Sequence, residues 1–149
     1  MIRKREIQPI INGIKKVKLN KLEDRGLSTA LFKNFMLLCG KQREYEAERK
    51  DLQDLFLEKF KDEQNAVGRL QGDFNLEVDG KKRIELAKEI NSHKEYLDAV
   101  KSLNEKIESL GNEEVEVEHI DAEKFGEAYQ KQDDFDVSVV EEIYPLFKV

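Results

Sequence analysis

Between Lys41 and Val67 the chain contains neither glycine nor proline, and across residues 27–66 its bulky side chains recur at alternating three- and four-residue spacing. The positions are Leu31, Phe35, Leu38, Tyr45, Leu52 and Phe56, with Gln42 and Arg49 at the intervening places. That period puts every member on one stripe of an α-helix, the pattern of a helix packed lengthwise on another. Ser28 or Thr29 is the expected N-cap. Gly40 leaves one alternative open, a helix that bends there into two.

A partner helix is expected over residues 84–110, where Leu86, Ile90, Leu97, Val100, Leu103 and Ile107 repeat with helical spacing. Gly111-Asn112 then supplies a left-handed stop. Residues 67–83 interrupt the two patterns with Gly68, Gly72 and Asp79-Gly80, and the alternation of Phe74, Leu76 and Val78 predicts a short strand or extended loop. The expected architecture is therefore mainly α with a minor β component. It comprises a long antiparallel helical hairpin over residues 27–110, a small β element and short C-terminal helices.

At 149 residues the chain has the length of one domain, divided into a basic segment 1–26, the hairpin, and an acidic strand and tail over 111–149. The β element is read from residues 114–120, where valines alternate with glutamates and Val115, Val117 and His119 share a face. Its expected pairing partner is the oppositely charged segment 15–19. Asp121 is the expected N-cap of the first of two short last helices, and the second is expected to start near Asp136. Near the start, Ile7, Ile10, Ile11 and Ile14 fall at helical spacing, with Pro9 in a first turn where its missing N–H costs little.

Charge bears on function. Charged residues make up 39% of the chain and the formal charge is −6, which disfavours sequence-blind binding to phosphate backbones. The distribution is uneven: residues 1–21 hold seven cations against Glu6 alone, a net +6, while residues 111–149 hold twelve acids against three lysines, a net −9. The first expectation is that the basic head neutralises part of the acidic tail. The alternative is a small anion-binding arm of Lys15, Lys16, Lys18 and Lys21. A single cysteine, Cys39, excludes an internal disulfide and reads as a small buried hydrophobe. The longest apolar run has five residues against the ~20 of a membrane span, and no signal-peptide core follows the basic start, so the expected location is the cytoplasm.

No nucleophile elbow, phosphate-cradling glycine loop or HExxH motif occurs. His93 lies on the stripe of the second helix, where a hydrogen-bonded, partly buried imidazole is expected. His119 stands among Glu116, Glu118 and Asp121, but no second histidine or cysteine is near to complete a metal set, so a solvated acidic edge is expected. Asp73 to Gly80 lacks the ligand spacing of a calcium loop. The reading is a non-enzymatic chain with no cofactor, no metal and no small-molecule substrate, acting on a protein partner or on itself. Its candidate interface is Leu31, Phe35, Leu38, Gln42, Tyr45, Arg49, Leu52 and Phe56.

The order of segments also bears a likeness. Leu19-Asn20-Lys21, then Arg25, Phe32-Lys33-Asn34-Phe35, Tyr45-Glu46-Ala47-Glu48-Arg49, the Asp79-Gly80 loop and the acidic Val/Glu strand together resemble a family of small bacteriophage and prophage proteins of unknown function, over nearly the whole chain. The resemblance implies a phage origin, with a place in the host cytoplasm or the virion, and no established activity. It carries no functional residue. The leading expectation is a phage-type protein that works by protein–protein contact, in an assembly, scaffold or virion accessory role. Nucleic-acid or host-factor binding by a phage regulator is the alternative.

Overall fold

In the computed structural model, which describes residues 1–148, the chain is mainly α with a minor β element. In order it forms β1 (Ile2–Arg3), a 3₁₀ turn at Lys4–Glu6, α1 (Ile7–Lys16), a second such turn at Leu19–Lys21, α2 (Arg25–Leu76), α3 (Gly80–Ser92), α4 (Lys94–Asn112), β2 (Glu114–Val115), α5 (Ala122–Tyr129), α6 (Ser138–Ile143) and a last 3₁₀ turn at Tyr144–Leu146. Tertiary contacts gather into two units: Met1–Ala47 with the chain from Leu110 onward, and Glu48–Ser109.

The first unit is built around α1. Its isoleucines at 7, 10, 11 and 14 are all buried, as their period requires, and Lys15 and Lys16 close the helix where cations favour the C-terminal dipole. Around them lie Leu31 and Leu38 of α2, Val115, Val117 and Ile120, Phe125 and Tyr129 of α5, and Val139, Ile143 and Leu146. α6 crosses α1 at Gly13. A Cβ there would stand 2.6 Å from Ile143 Cγ2 and 2.9 Å from Glu142 Cβ, so only glycine permits the approach.

Two buried amides tie extended segments into this unit. Asn34, 1% exposed, donates through Nδ2 to the carbonyl of Glu118 (2.7 Å) and accepts that residue's N–H on Oδ1 (3.0 Å). Gln132 does the same to Lys18, donating to its carbonyl at 3.0 Å and accepting its N–H at 3.2 Å. A primary amide carries one acceptor and a donor pair side by side, so it replaces a neighbouring strand for a single peptide.

Several expectations need correcting in this unit. The strand at 114 pairs antiparallel with β1, Ile2 opposite Val115 and Arg3 opposite Glu114, and not with residues 15–19. The isoleucine period runs on through Lys15 and Lys16 as helix, which removes that segment from any ladder. Only Glu114–Val115 is ladder, although the alternation holds beyond it, Val115 and Val117 buried and Glu114, Glu116 and Glu118 exposed. His119 is half-buried, and Ile120, through a parallel bridge to Phe147, takes the inner position. The N-cap of α2 is Asp24, whose Oδ1 accepts from Leu27 N–H, while the Ser28 hydroxyl donates to Leu19 O. Asp121 caps α5 by accepting from Lys124 N–H, as expected, whereas α6 starts at Ser138 with Val137 in the N-cap position, and Asp136 Oδ1 accepts from Ser138 N–H just ahead of it. Gly111 is no left-handed stop, since no described residue has positive φ. It lies inside α4, where a Cβ would come within 3.0 Å of Tyr45 Oη.

The second unit is a helical hairpin. Facing contacts run in opposite directions along the chain, with Phe60 against Tyr96, Glu63 against His93 and Phe74 under Arg83, so the helices are antiparallel. α2 passes Gly40, Gly68 and Gly72 without interruption. Each isolated glycine costs a helix about 1 kcal/mol, less than the packing of the surrounding stripe returns. The strand expected at 74–78 is accordingly absent, because Phe74 and Leu76 belong to α2. Glu77 Oε1 accepts from the N–H groups of Val78 and Asp79, and Asp79 Oδ1 from Lys81 N–H, so three residues make the whole connection. The second arm starts at Gly80, not Ile84, and breaks at His93. The ψ of His93 is 50°, and its N–H donates to Ile90 O.

Candidate interaction surfaces

The eight stripe residues divide by unit. Leu31 and Leu38 are fully buried and Tyr45 nearly so, with Phe35 packed on the same core. Leu31, Phe35 and Leu38 pack into the chain's own core with α1 and the C-terminal segments, and Tyr45 lies against Gly111. Asn34 was missed. It falls three residues after Leu31 and four before Leu38, so a polar residue on the core-facing side was the available signal. Gln42, half-buried, donates to Glu46. Arg49, Leu52 and Phe56 are half-buried in the second unit.

There Phe56, Phe60 and Tyr96 form a triangle of rings with centroids 5.3, 5.9 and 6.0 Å apart. Lys59 lies 3.5 Å from Glu95 and over the Phe60 ring. His93 Nδ1 is 3.5 Å from Glu63, half-buried on the stripe as expected. Only Phe60, Val67 and Tyr96 are buried in this unit, while Leu86, Ile90, Leu97, Val100, Leu103 and Ile107 stay half-covered and Leu55 and Ile84 exposed.

The basic head meets the acidic tail within the first unit. Lys16 pairs with Glu142 at 2.6 Å, Lys18 with Asp134 at 3.2 Å, Lys4 with Glu113 at 2.6 Å, and Glu23 with Lys131 at 2.7 Å. Lys15 and Lys21 are exposed. The hydrogen bond from Lys131 holds the Glu23 carboxyl below its ordinary 4.5, and that from Lys18 holds Asp134 below 3.8. Asp136 is lowered by Ser138 and Asp121 by the Lys124 N–H. A carboxylate lowered in the folded state stabilises it above the ordinary carboxylate range, and that contribution disappears as pH falls through and below about 4. Urea midpoints of the first unit are expected to drop over that window, and the drop to shrink in Asp134→Asn, which removes one of the groups. Lys16 is raised by Glu142, so its share is lost only above the ordinary lysine value of 10.5.

His119 faces a carbonyl: Nδ1 is 3.2 Å from Leu146 O, and since a carbonyl only accepts, Nδ1 carries the proton. Among the described residues no three of His, Cys, Asp and Glu converge as a metal set. Cys39 is half-buried against the first core. No helix among these residues is long and apolar enough to cross a membrane.

One concavity lies in the first unit. It is a groove of about 850 Å³ between α2, with Lys33, Leu37 and Lys41, and the extended residues 113–118. The chain matches no protein-family profile, no curated protein and no solved structure.

Proposed function

We infer that the chain acts through protein–protein contact, with the hairpin of the second unit as the contact surface and a second copy or a helical partner as its complement. The observation that supports this is the hairpin's incomplete cover. Two helices shield each other on one side only, so Leu52 and Phe56 on one arm and Leu86, Ile90, Leu97, Val100, Leu103 and Ile107 on the other stay half-covered, with Leu55 and Ile84 exposed. Covering a few hundred Å² of apolar area at ~25 cal/mol/Å² supplies several kcal/mol before ordering costs. The likeness to small phage proteins would give such contact an assembly, scaffold or virion accessory role in the host cytoplasm or virion, with no catalysis.

Light scattering from low to high micromolar concentration tests it. A rising mass is expected for the parent, and a particle held at monomer mass for the double variant Leu55→Asp/Ile84→Asp, whose sites are exposed and leave the hairpin folded. A parent that stays monomeric throughout removes the second copy as the complement.

Nucleic-acid or host-factor binding through Lys15, Lys16, Lys18 and Lys21 ranks second, because two of the four are already neutralised by Glu142 and Asp134. DNA or RNA affinity that falls steeply with salt, and is lost when all four are replaced, would reverse that order.

A further inference from the structure

The groove beside α2 has one wall of side chains and one of peptide backbone. The pleat decides which way that backbone faces. Lys4 N–H donates to Glu113 O and Ile2 stands opposite Val115, so the odd-numbered peptides of this segment face β1. The even-numbered ones face the other way, toward α2. Glu118 confirms the parity, since its N–H and carbonyl are both taken by Asn34 of α2. Upstream of that clip no group among the described residues bonds the backbone of Glu116, and the peptides of Glu114 and Glu116 open into the groove. A strand edge of this kind is a template for pairing with another chain.

We propose that this groove binds an extended segment of a partner protein, added as a strand along Glu114 and Glu116, with Lys or Arg opposite the two glutamates and an apolar residue between them. Residues directly opposite on paired strands share a face, and Glu114, Glu116 and Glu118 present three exposed carboxylates on theirs. Pairing with the same edge of a second copy would set glutamate against glutamate, which the charge forbids and a basic strand relieves. Two of the three groove lysines are neutralised in place, Lys4 by Glu113 and Lys41 by Glu44, so the edge keeps an acidic character. Leu37, 42% exposed in the groove, is the apolar contact for the intervening residue. Main-chain bonds then supply affinity and the alternating side chains specificity. This surface is separate from the hairpin contact and does not depend on it.

Fluorescence anisotropy with a labelled, amidated pentapeptide Lys-Val-Lys-Val-Lys, at about 0.15 M salt, tests the proposal. Saturable binding is expected, weakened at least about tenfold by N-methylation at the central lysine and by scrambling to Lys-Lys-Lys-Val-Val. The same loss is expected in Glu116→Lys and in Leu37→Arg, two surface positions whose folding is checked by circular dichroism. Leu55→Asp/Ile84→Asp should bind as the parent does, so a failed hairpin contact and a failed groove are told apart. No saturable binding overturns the proposal. So does equal binding of the scrambled or N-methylated peptide, which would reduce the effect to charge attraction.

Discussion

Gly13→Ala is expected to lower the stability of the first unit, and Gly40→Ala to raise that of the protein. In both cases the substitution replaces the poorest helix former but proline with the best, a gain of about 1 kcal/mol in an open helical position. At Gly40 nothing lies within 4 Å of the new Cβ, so the gain should appear almost undiminished as a higher urea midpoint. At Gly13 the same atom meets Ile143 Cγ2 at 2.6 Å and Glu142 Cβ at 2.9 Å, well inside contact distance. α1 and α6 must then separate, and overpacking of this kind costs about 1–3 kcal/mol, enough to reverse the sign. Gly13→Val should be worse, since it adds volume at the crossing and loses helix propensity besides. Equal shifts in the two alanine variants would show that α6 does not lie against α1 at that point.

The second large effect is expected at Asn34. Asn34→Leu keeps the approximate volume and leaves both the N–H and the carbonyl of Glu118 without their partner. A buried unsatisfied group costs about 1–3 kcal/mol, and the two groups of Glu118 are only part-buried, so a loss of about 1–3 kcal/mol in unfolding free energy is expected for the pair. Asn34→Asp is the sharper test because its penalty depends on pH. The ionised carboxylate still accepts from Glu118 N–H but repels its carbonyl oxygen, and it is buried. The neutral carboxyl donates and accepts as the amide does. Its folded pKa is therefore raised, the stability it contributes is present below the ordinary aspartate value of about 3.9, and that stability is lost as pH rises through the raised value. The gap between Asn34→Asp and the parent should narrow on acidification. The four carboxylates lowered in the native state act in the opposite direction, so the comparison is made against the parent at each pH. A gap independent of pH would mean that the side chain does not hold the Glu118 carbonyl.

Much of this fold was legible because strong periods leave little choice. The isoleucines of α1, the stripe of α2 and the Val/Glu alternation each point one face inward, and each does so in the structure. What misled the reading were short signals read without their surroundings. Phe74, Leu76 and Val78 alternate, but three residues of alternation yield to a helix already more than forty residues long. Val17 and Leu19 alternate likewise, yet the segment before them is committed to the isoleucine period. The true partner of β2, Ile2–Arg3, is two residues long and has no pattern to read. Of the candidate interface, the spacing gave the stripe and not its occupant. Leu31 and Leu38 serve the chain's own core, while Leu52 and Phe56 lie on the half-covered hairpin. The groove beside α2 had no sequence signal, because it is defined by backbone groups whose direction follows from which strand pairs where.

The first unit takes its residues from both sides of the hairpin, which sets an order on biosynthesis. Glu48–Ser109 are all made before α5 and α6, and their contacts are local in sequence, so the hairpin has every residue it needs while translation continues. Ile7, Ile10, Ile11 and Ile14 must wait for Phe125, Val139, Ile143 and Leu146 to leave the ribosome. Until then α1 presents a bare aliphatic face to the cell, and that interval is where chaperones and aggregation would compete for it.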